Sequence, residues 1–242
     1  MPAPDLSVVI PVCNEQDNVA PLAREIVVAL AGRQFEILFV DDGSTDATLE
    51  RLRGLRTEIP QLRVLRHSRR SGQSYAVASG VRAAAAEWVA TLDGDGQNDP
   101  ADIPALLAAQ LAADGNVRLV MGNRAANRRD TWLRRLQSRI ANGVRASLLK
   151  DDTVDSGCGI KLLHRPTFLA LPFFNHMHRF MPALYRRHGA VVLSVPVNHR
   201  PRLQGTSKYG LLNRLWVGVV DILGVMWLQS RFAPGLVVEE DC

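Results

Sequence analysis

The chain has 242 residues, 47% of them apolar and 22% charged, enough to bury one full core and too apolar to stay disordered. Its net charge of +5 hides a division: 10 Arg against 16 acids over residues 1–117, 18 Arg plus Lys against 4 acids over 118–214, and 1 Arg against 4 acids over 215–242. The basic middle block points to an anionic partner. Nucleic acid is excluded as that partner by the absence of a recognition helix, an RNP-like strand or zinc-ligand spacing and by an aromatic content of only 6%.

In chain order, residues 6–11 (LSVVIP), 35–40 (FEILFV), 62–67, 87–92 and 118–122 read as short apolar strands of a buried parallel sheet. Between them, 17–31, 45–56, 71–86 and 101–113 read as helices, with Asp17, Thr45 and Ser71 as caps. This βαβαβαβαβ order predicts a doubly wound, mostly parallel α/β sheet, whose ligands bind beyond the carboxyl ends of its strands. Polar motifs stand there: Val12-Cys13-Asn14-Glu15 after the first strand, Asp41-Asp42-Gly43-Ser44 after the second, and Asp93 to Gln97 after the fourth.

Beyond residue 122 the chain becomes Arg-studded, with a helix predicted over 131–149. The stretch 155–163, helices over 166–170 and 179–188, and a strand over 190–197 follow. The last long element, 210–230, is a helix on which Gly210, Arg214, Gly218, Asp221 and Gly224 recur at three- and four-residue steps, leaving a broad Leu, Val and Trp face. Arg214 and Asp221 argue against a membrane span, so the helix is expected in the plane of a membrane surface or packed on protein. Three cysteines, Cys13, Cys158 and Cys242, share no metal-ligand spacing and fit a reducing cytosol. Met1 to Asp5 run directly into a strand, which predicts no secretory leader.

The most informative stretch is Asp93-Gly94-Asp95-Gly96-Gln97-Asn98-Asp99-Pro100, closely spaced oxygen ligands ending an apolar strand. Magnesium and manganese prefer such ligands and retain waters that a diphosphate can replace, so a nucleotide is the expected ligand. A calcium loop of the EF-hand kind needs Gly sixth and Glu twelfth; counted from Asp93, those positions hold Asn98 and Pro104. The alternative is an acidic surface turn that uses Gly for its backbone freedom.

Taken together, Pro11-Val12-Cys13-Asn14-Glu15, Val40-Asp41-Asp42-Gly43-Ser44-Thr45-Asp46 and Asp93-Gly94-Asp95-Gly96-Gln97 resemble the signature of family 2 glycosyltransferases of the GT-A fold. Gly122-Asn123-Arg124, Asp155 to Lys161 and Arg202 to Tyr209 resemble its narrower branch of dolichol-phosphate mannosyltransferases and polyprenyl-phosphate glycosyltransferases. The resemblance covers roughly residues 5 to 230 and implies a GT-A domain over 1–210. Residues 1–122 would be its nucleotide-sugar half and 123–210 its acceptor half, followed by an interfacial helix over 211–230 and a tail over 231–242.

It also implies roles. Pro11, Cys13, Glu15, Val40 and Asp42 would line the base and ribose pocket, Asp93 and Gly94 would touch the nucleotide, and Asp95 and Gln97 would hold Mg2+ or Mn2+. Arg124, Arg202 and Lys208 match cations directed at the donor diphosphate and acceptor phosphate; Arg forks two hydrogen bonds onto one phosphate. Arg139 is grouped with them as an acceptor-phosphate residue, although it, like Arg128, Arg129, Arg134 and Arg135, has no motif position and would serve equally as a surface charge facing acidic headgroups. Cys13 replaces a Tyr common in relatives and Gly96 a larger apolar residue, both of which reshape the pocket.

The implied reaction moves a sugar from a GDP- or UDP-sugar to a polyprenyl phosphate with inversion, Asp95, Arg202 and Lys208 carrying it. A phosphate monoester has a second pKa near ~6, so its oxygen is largely bare at pH 7 and no dedicated base is required. Asp155 is then a positional or acceptor-site residue, and His164, His176, His178, His188 and His199 are structural or surface groups. The expected setting is the cytoplasmic face of a membrane, peripherally, with a membrane-protein partner or second copy as a further partner. The competing readings are a family 2 enzyme acting on a saccharide hydroxyl and a non-catalytic nucleotide-sugar-binding protein.

Overall fold

The computed structural model describes residues 3–124, 155–198 and 211–231, together with 143, 147–149, 151, 153 and 200; of 211–217 it describes the backbone. Seven strands, β1 (Leu6–Val12), β2 (Phe35–Asp41), β3 (Leu62–Arg66), β4 (Trp88–Thr91), β5 (Val117–Asn123), β6 (Lys161–His164) and β7 (Val191–Pro196), form one sheet in the order β3-β2-β1-β4-β6-β5-β7. β3, β2, β1 and β4 are parallel neighbours, β6 runs antiparallel between β4 and β5, and β7 pairs parallel with β5.

Strand alternation sorts the core onto two faces. Val8, Ile10, Ile37 and Phe39 point to the side covered by α1 (Val19–Ala29), α2 (Thr48–Glu58) and α4 (Ile103–Ala112), where Ile26, Leu52 and Leu106 meet them. Val9, Leu38 and Val40 point to the side covered by α3 (Gln73–Ala83), α5 (Arg165–Ala170) and α6 (Met181–Arg187). Burial on both faces is why these strands read as unbroken apolar runs. The doubly wound, mostly parallel expectation therefore holds.

Three local expectations are corrected. The helices begin two or three residues later than Asp17, Thr45 and Ser71, and none of these three caps its helix. Their polar groups pair with other segments instead: Asp17 with Arg51 of α2, the Thr45 backbone with Asn14, and the Ser71 backbone with Asp42. The start of the helix predicted at 101–113 is a 3-10 turn, Pro100–Asp102, because Asp99 accepts the Ala101 N–H and Pro100 fills the first position. The four residues of β6 follow a turn within the stretch 155–163 and are too few to announce an antiparallel strand.

The helix predicted at 131–149 lies outside the described residues except for 143 and 147–149, which are helical. The last helix, α7 (Leu211–Ser230), is present, and no helix among the described residues is long and apolar enough to cross a membrane. Val225 is buried and Ile222 and Met226 pack on the α3 side of the core, while Val219, Val220, Leu223 and Trp227 are exposed. Asp221, grouped in the sequence with the polar stripe, turns toward the domain and pairs with His176 at 2.9 Å. His176 has φ +69°, which swings its ring out of the adjoining 3-10 turn, Met177–Arg179.

That turn is docked on α3 through His178. The His178 backbone N–H donates to Ser74 Oγ at 3.4 Å and its Nδ1 lies 2.7 Å from the same hydroxyl. Burial, reinforced by Lys161, Arg179 and His176, pushes the imidazole down to about 3. A group neutral when folded and near 6.5 when unfolded takes up protons on unfolding as acid is added, so it contributes stability above its unfolded pKa that is lost as pH falls toward 3. In urea titrations between pH 7 and 4, stability should fall by up to about 1.4 kcal/mol per pH unit from this group, and His178→Gln should remove that share of the slope.

Candidate active site

Three loops meet beyond the carboxyl ends of β1, β2 and β4, and side chains stitch the first two together. Asn14, at φ +57°, donates its backbone N–H to Ser44 Oγ at 2.9 Å and accepts the Thr45 N–H on Oδ1 at 2.8 Å. Glu15 N–H donates to Thr48 Oγ1 at 2.9 Å, and Gln16 Oε1 accepts from the Ala47 N–H at 3.1 Å. Pro11 and Cys13 are half-buried on this seam, and Glu15 accepts the Asn18 side-chain amide at 2.7 Å.

Asp42 joins the loop after β3 to this pair. One carboxylate oxygen accepts the Ser71 N–H at 2.8 Å and faces His67 Nδ1 at 2.7 Å, while the other accepts the Gly72 N–H at 2.7 Å. His67 Nε2 in turn meets Ser79 Oγ at 2.9 Å. Asp42, 4% exposed, thus latches the end of β2 to the start of α3. Val40, near the end of β2, is wholly buried in the α3-side core. Asp41 is also wholly buried; its Oδ1 accepts the Ser44 N–H at 3.0 Å, and its Oδ2 has no hydrogen-bond partner among the described residues. Gly43, at φ +72°, lets the backbone of Arg69 and Arg70 close down, since a Cβ there would sit 2.7 Å from the Arg70 nitrogen.

The loop after β4 rests on β1 and β6. Gly94 lies against Val12, and a Cβ on it would come within 2.9 Å of the Pro11 carbonyl. Asp93 donates its backbone N–H to the buried Asn98 side chain at 2.9 Å, and its carboxylate accepts from Gln73 Nε2 at 2.8 Å. Asp95 Oδ1 accepts the Gln97 N–H at 3.1 Å, which bends the loop back so that Asp95 and Gln97 stand together. Burial, then the charge of Asp95, raises the Asp93 pKa against the opposing influence of Lys161, Arg124 and Gln73.

The turn before β6 presses on the loop from the other side. Thr91 Oγ1 donates to the Gly159 carbonyl at 2.9 Å, and a Cβ on Gly159 would collide with Asp93 Oδ2 and sit 2.5 Å from Asn98 Oδ1. Lys161, buried, donates from Nζ to the Cys158 carbonyl; burial lowers its pKa, with Cys158, Asp93 and Asp155 opposing the fall. Arg124 forks onto Asp155, Nε to Oδ2 at 2.8 Å and Nη2 to Oδ1 at 2.9 Å. Burial works against the Arg124 charge, yet Asp155 outweighs it and raises the pKa.

The donors gathered at Asp93, Asp95, Gln97 and Asn98 are all oxygen, and burial disfavours the bare Asp93 charge, which suits a hard divalent cation. No group of three His, Cys, Asp or Glu that could hold a metal occurs among the described residues. Asp93, Gly94, Asp95, Gln97 and Arg124 are thus gathered with Pro11, Cys13 and Glu15 at one sheet edge, whereas Arg139, Arg202 and Lys208 lie outside the described residues. Sequence reading missed Gln73 and His67, and it quoted Asn98 and Lys161 without giving them a role. Gln73 carries a signal, a polar residue opening a helix at the carboxyl edge, but the burial of Lys161 depends on β6.

Comparison with known proteins agrees with this geometry. The sequence pattern described as glycosyl transferase family 2 matches residues 7–184. The chain is 33% identical over 239 residues to a dodecaprenyl-phosphate galacturonate synthase of Rhizobium johnstonii, covering 96% of this chain and 69% of that protein. It is 36% identical over 239 residues to an undecaprenyl-phosphate 4-deoxy-4-formamido-L-arabinose transferase of Edwardsiella ictaluri, covering 96% and 72%. In fold it is similar to glucosyl-3-phosphoglycerate synthase of Mycobacterium tuberculosis. The structure of that enzyme with UDP matches at TM-score 0.70 and 19% identity, covering 93% of this chain and 80% of that one. Its complex with Mn2+, UDP and glucosyl-3-phosphoglycerate matches at 0.69 and 18%, with the same coverage.

Because Gly159 has no side chain, Asp93 and Asn98 can sit against it. Gly159→Ala should displace both and lower turnover by about 10²-fold, the cost of a misplacement near 1 Å at a reacting centre. Steady-state kinetics on a variant with unchanged far-ultraviolet circular dichroism measures this.

Proposed function

Since the chain belongs to glycosyltransferase family 2, we propose that it transfers a sugar, with inversion, from a GDP- or UDP-sugar to a polyprenyl phosphate at a membrane surface. The observation that carries the reading is the convergence of the family's three loops on one edge of the sheet, in a chain whose relatives at 33% and 36% identity are named for polyprenyl-phosphate sugar transfer. The +14 block over 118–214, from the 18 basic and 4 acidic residues counted there, suits joining two phosphate-bearing substrates.

In this reading the stitched loops at Pro11, Cys13 and Glu15 receive the nucleoside, and Gly94, lacking a side chain, lets the nucleotide approach the backbone. Asp95 and Gln97 hold Mg2+ or Mn2+, which when bound stabilises negative charge on the leaving diphosphate. Gln73 and Asn98 fix Asp93 from two sides and keep the loop in the shape that receives the cation. Arg124 stands at the acceptor side, its guanidinium oriented by Asp155, and Arg202 and Lys208 complete the neutralisation of the two phosphates. Arg139 meets acidic headgroups, and no residue is assigned as base, because the acceptor oxygen is already largely ionised at pH 7. The donor is water-soluble and the acceptor a lipid, so the enzyme works peripherally, at the cytoplasmic face, with the exposed apolar side of α7 toward the membrane.

Purified protein with manganese or magnesium, a panel of nucleotide-sugars and undecaprenyl phosphate should move labelled sugar into the organic phase. Asp95→Ala should lower the rate by at least about 10²-fold and Arg202→Ala by a similar factor, each loss being the removal of an electrostatic contact to a charge that develops in the transition state. Nucleotide release with no lipid product would send the acceptor back to a saccharide hydroxyl.

A further inference from the structure

The stretch that follows β7 crosses the face of the loop bearing Asp95 and Gln97. Asn198 donates its backbone N–H to Asp102 Oδ2 at 2.8 Å and its side-chain amide to Asp102 Oδ1 at 3.1 Å. Two residues on, the Arg200 backbone N–H donates to the Gln97 carbonyl at 3.0 Å. The guanidinium of Arg200 spans two further elements, reaching Asp99 Oδ1 in the loop at 2.7 Å and Glu25 Oε2 in α1 at 2.6 Å.

The Gln97 peptide is therefore pinned at both ends: its N–H by the Asp95 carboxylate and its C=O by Arg200. Asp99 is only 16% exposed on its side chain and also accepts the Ala101 N–H, so the Arg200 contact acts on a fixed point of the loop. An ion pair this exposed on the Arg200 side, at 37%, contributes little to global stability. Its consequence is local, because it joins α1, the loop and the chain leaving β7 at one side chain.

We propose that Arg200 is a positioning residue: by gripping Asp99 and Glu25 it holds its own backbone against Gln97 and so sets the geometry in which Asp95 and Gln97 receive the divalent cation. This inference rests on the metal reading above.

Charge and positioning predict opposite signs for the loss of Arg200. Removing a cation that contacts Asp99 in the loop bearing Asp95 and Gln97 should on Coulomb grounds tighten Mn2+ binding; losing a positioning contact should weaken it. The test titrates Mn2+ into the full chain with UDP, and separately with GDP, reading free Mn2+ by electron paramagnetic resonance. Arg200→Ala should raise the Mn2+ dissociation constant about 5- to 10-fold, Arg200→Lys should recover part of that because an ammonium reaches only one of the two carboxylates, and amide hydrogen exchange over 95–101 should speed up in Arg200→Ala. Asn198→Ala, which cuts the same seam without changing charge, should weaken binding in the same direction. Equal or tighter Mn2+ binding in Arg200→Ala and unchanged binding in Asn198→Ala would overturn the inference alone. A wild-type chain that binds no Mn2+ with either nucleotide would overturn the metal reading and the inference together.

Discussion

Parallel pairing of β1 with β2 on one side and β4 on the other is the constraint from which the site follows. The register sets Val12 beside Asp41, so β1 and β2 end level, while Thr91 ends β4 beside Val9 and its loop runs on along the end of β1, where Gly94 lies against Val12. Parallel strands need crossover helices, and those helices occupy the two faces, leaving the carboxyl edge as the place where loops can carry polar groups. Asn14, Ser44, Thr45 and Thr48 then join the loops to one another, so the edge is a connected structure and not a set of independent turns.

The antiparallel insertion of β6 adds the second constraint. It brings the Gly159 turn under Asp93 and places a buried lysine between two carboxylates, Asp93 and Asp155. Separating any of these charges from its partner would leave it uncompensated in a low-dielectric setting, a cost of several kcal/mol. Asp93, Asp155, Arg124 and Lys161 are therefore coupled: Arg124 is held charged by Asp155, and Lys161 is held by the Cys158 carbonyl at the base of the same turn. A further cation at Asp95 and Gln97, as proposed, would by its charge oppose the upward push that burial gives the Asp93 pKa.

The outer side of the molecule shows a different use of polar residues. His176 and Asp221 meet across the joint between α7 and the domain, and Gln229 donates to the Leu149 carbonyl at 2.9 Å. These contacts orient the helix about its long axis, turning Val225 inward and Leu223 and Trp227 outward. An amphipathic helix free to rotate could bury either side; two polar contacts on one side decide which.

Residue order alone determined the strand and helix sequence through Gly122, because runs such as LSVVIP and FEILFV are buried on both sides and bounded by polar loops. It also located Asp93, Asp95 and Gln97, whose oxygen chemistry is local and closely spaced. Helix starts were displaced because Asp17 and the backbones of Thr45 and Ser71 found partners in other segments, a choice no local cap preference contains. Tertiary structure alone decided that Asp42 is a latch, that Lys161 lies buried beneath the loop, and that Arg200 grips it. These depend on which strand lies next to which, and contacts between residues 25 or more apart are set by the packing of the whole sheet, not by the pattern of any one segment.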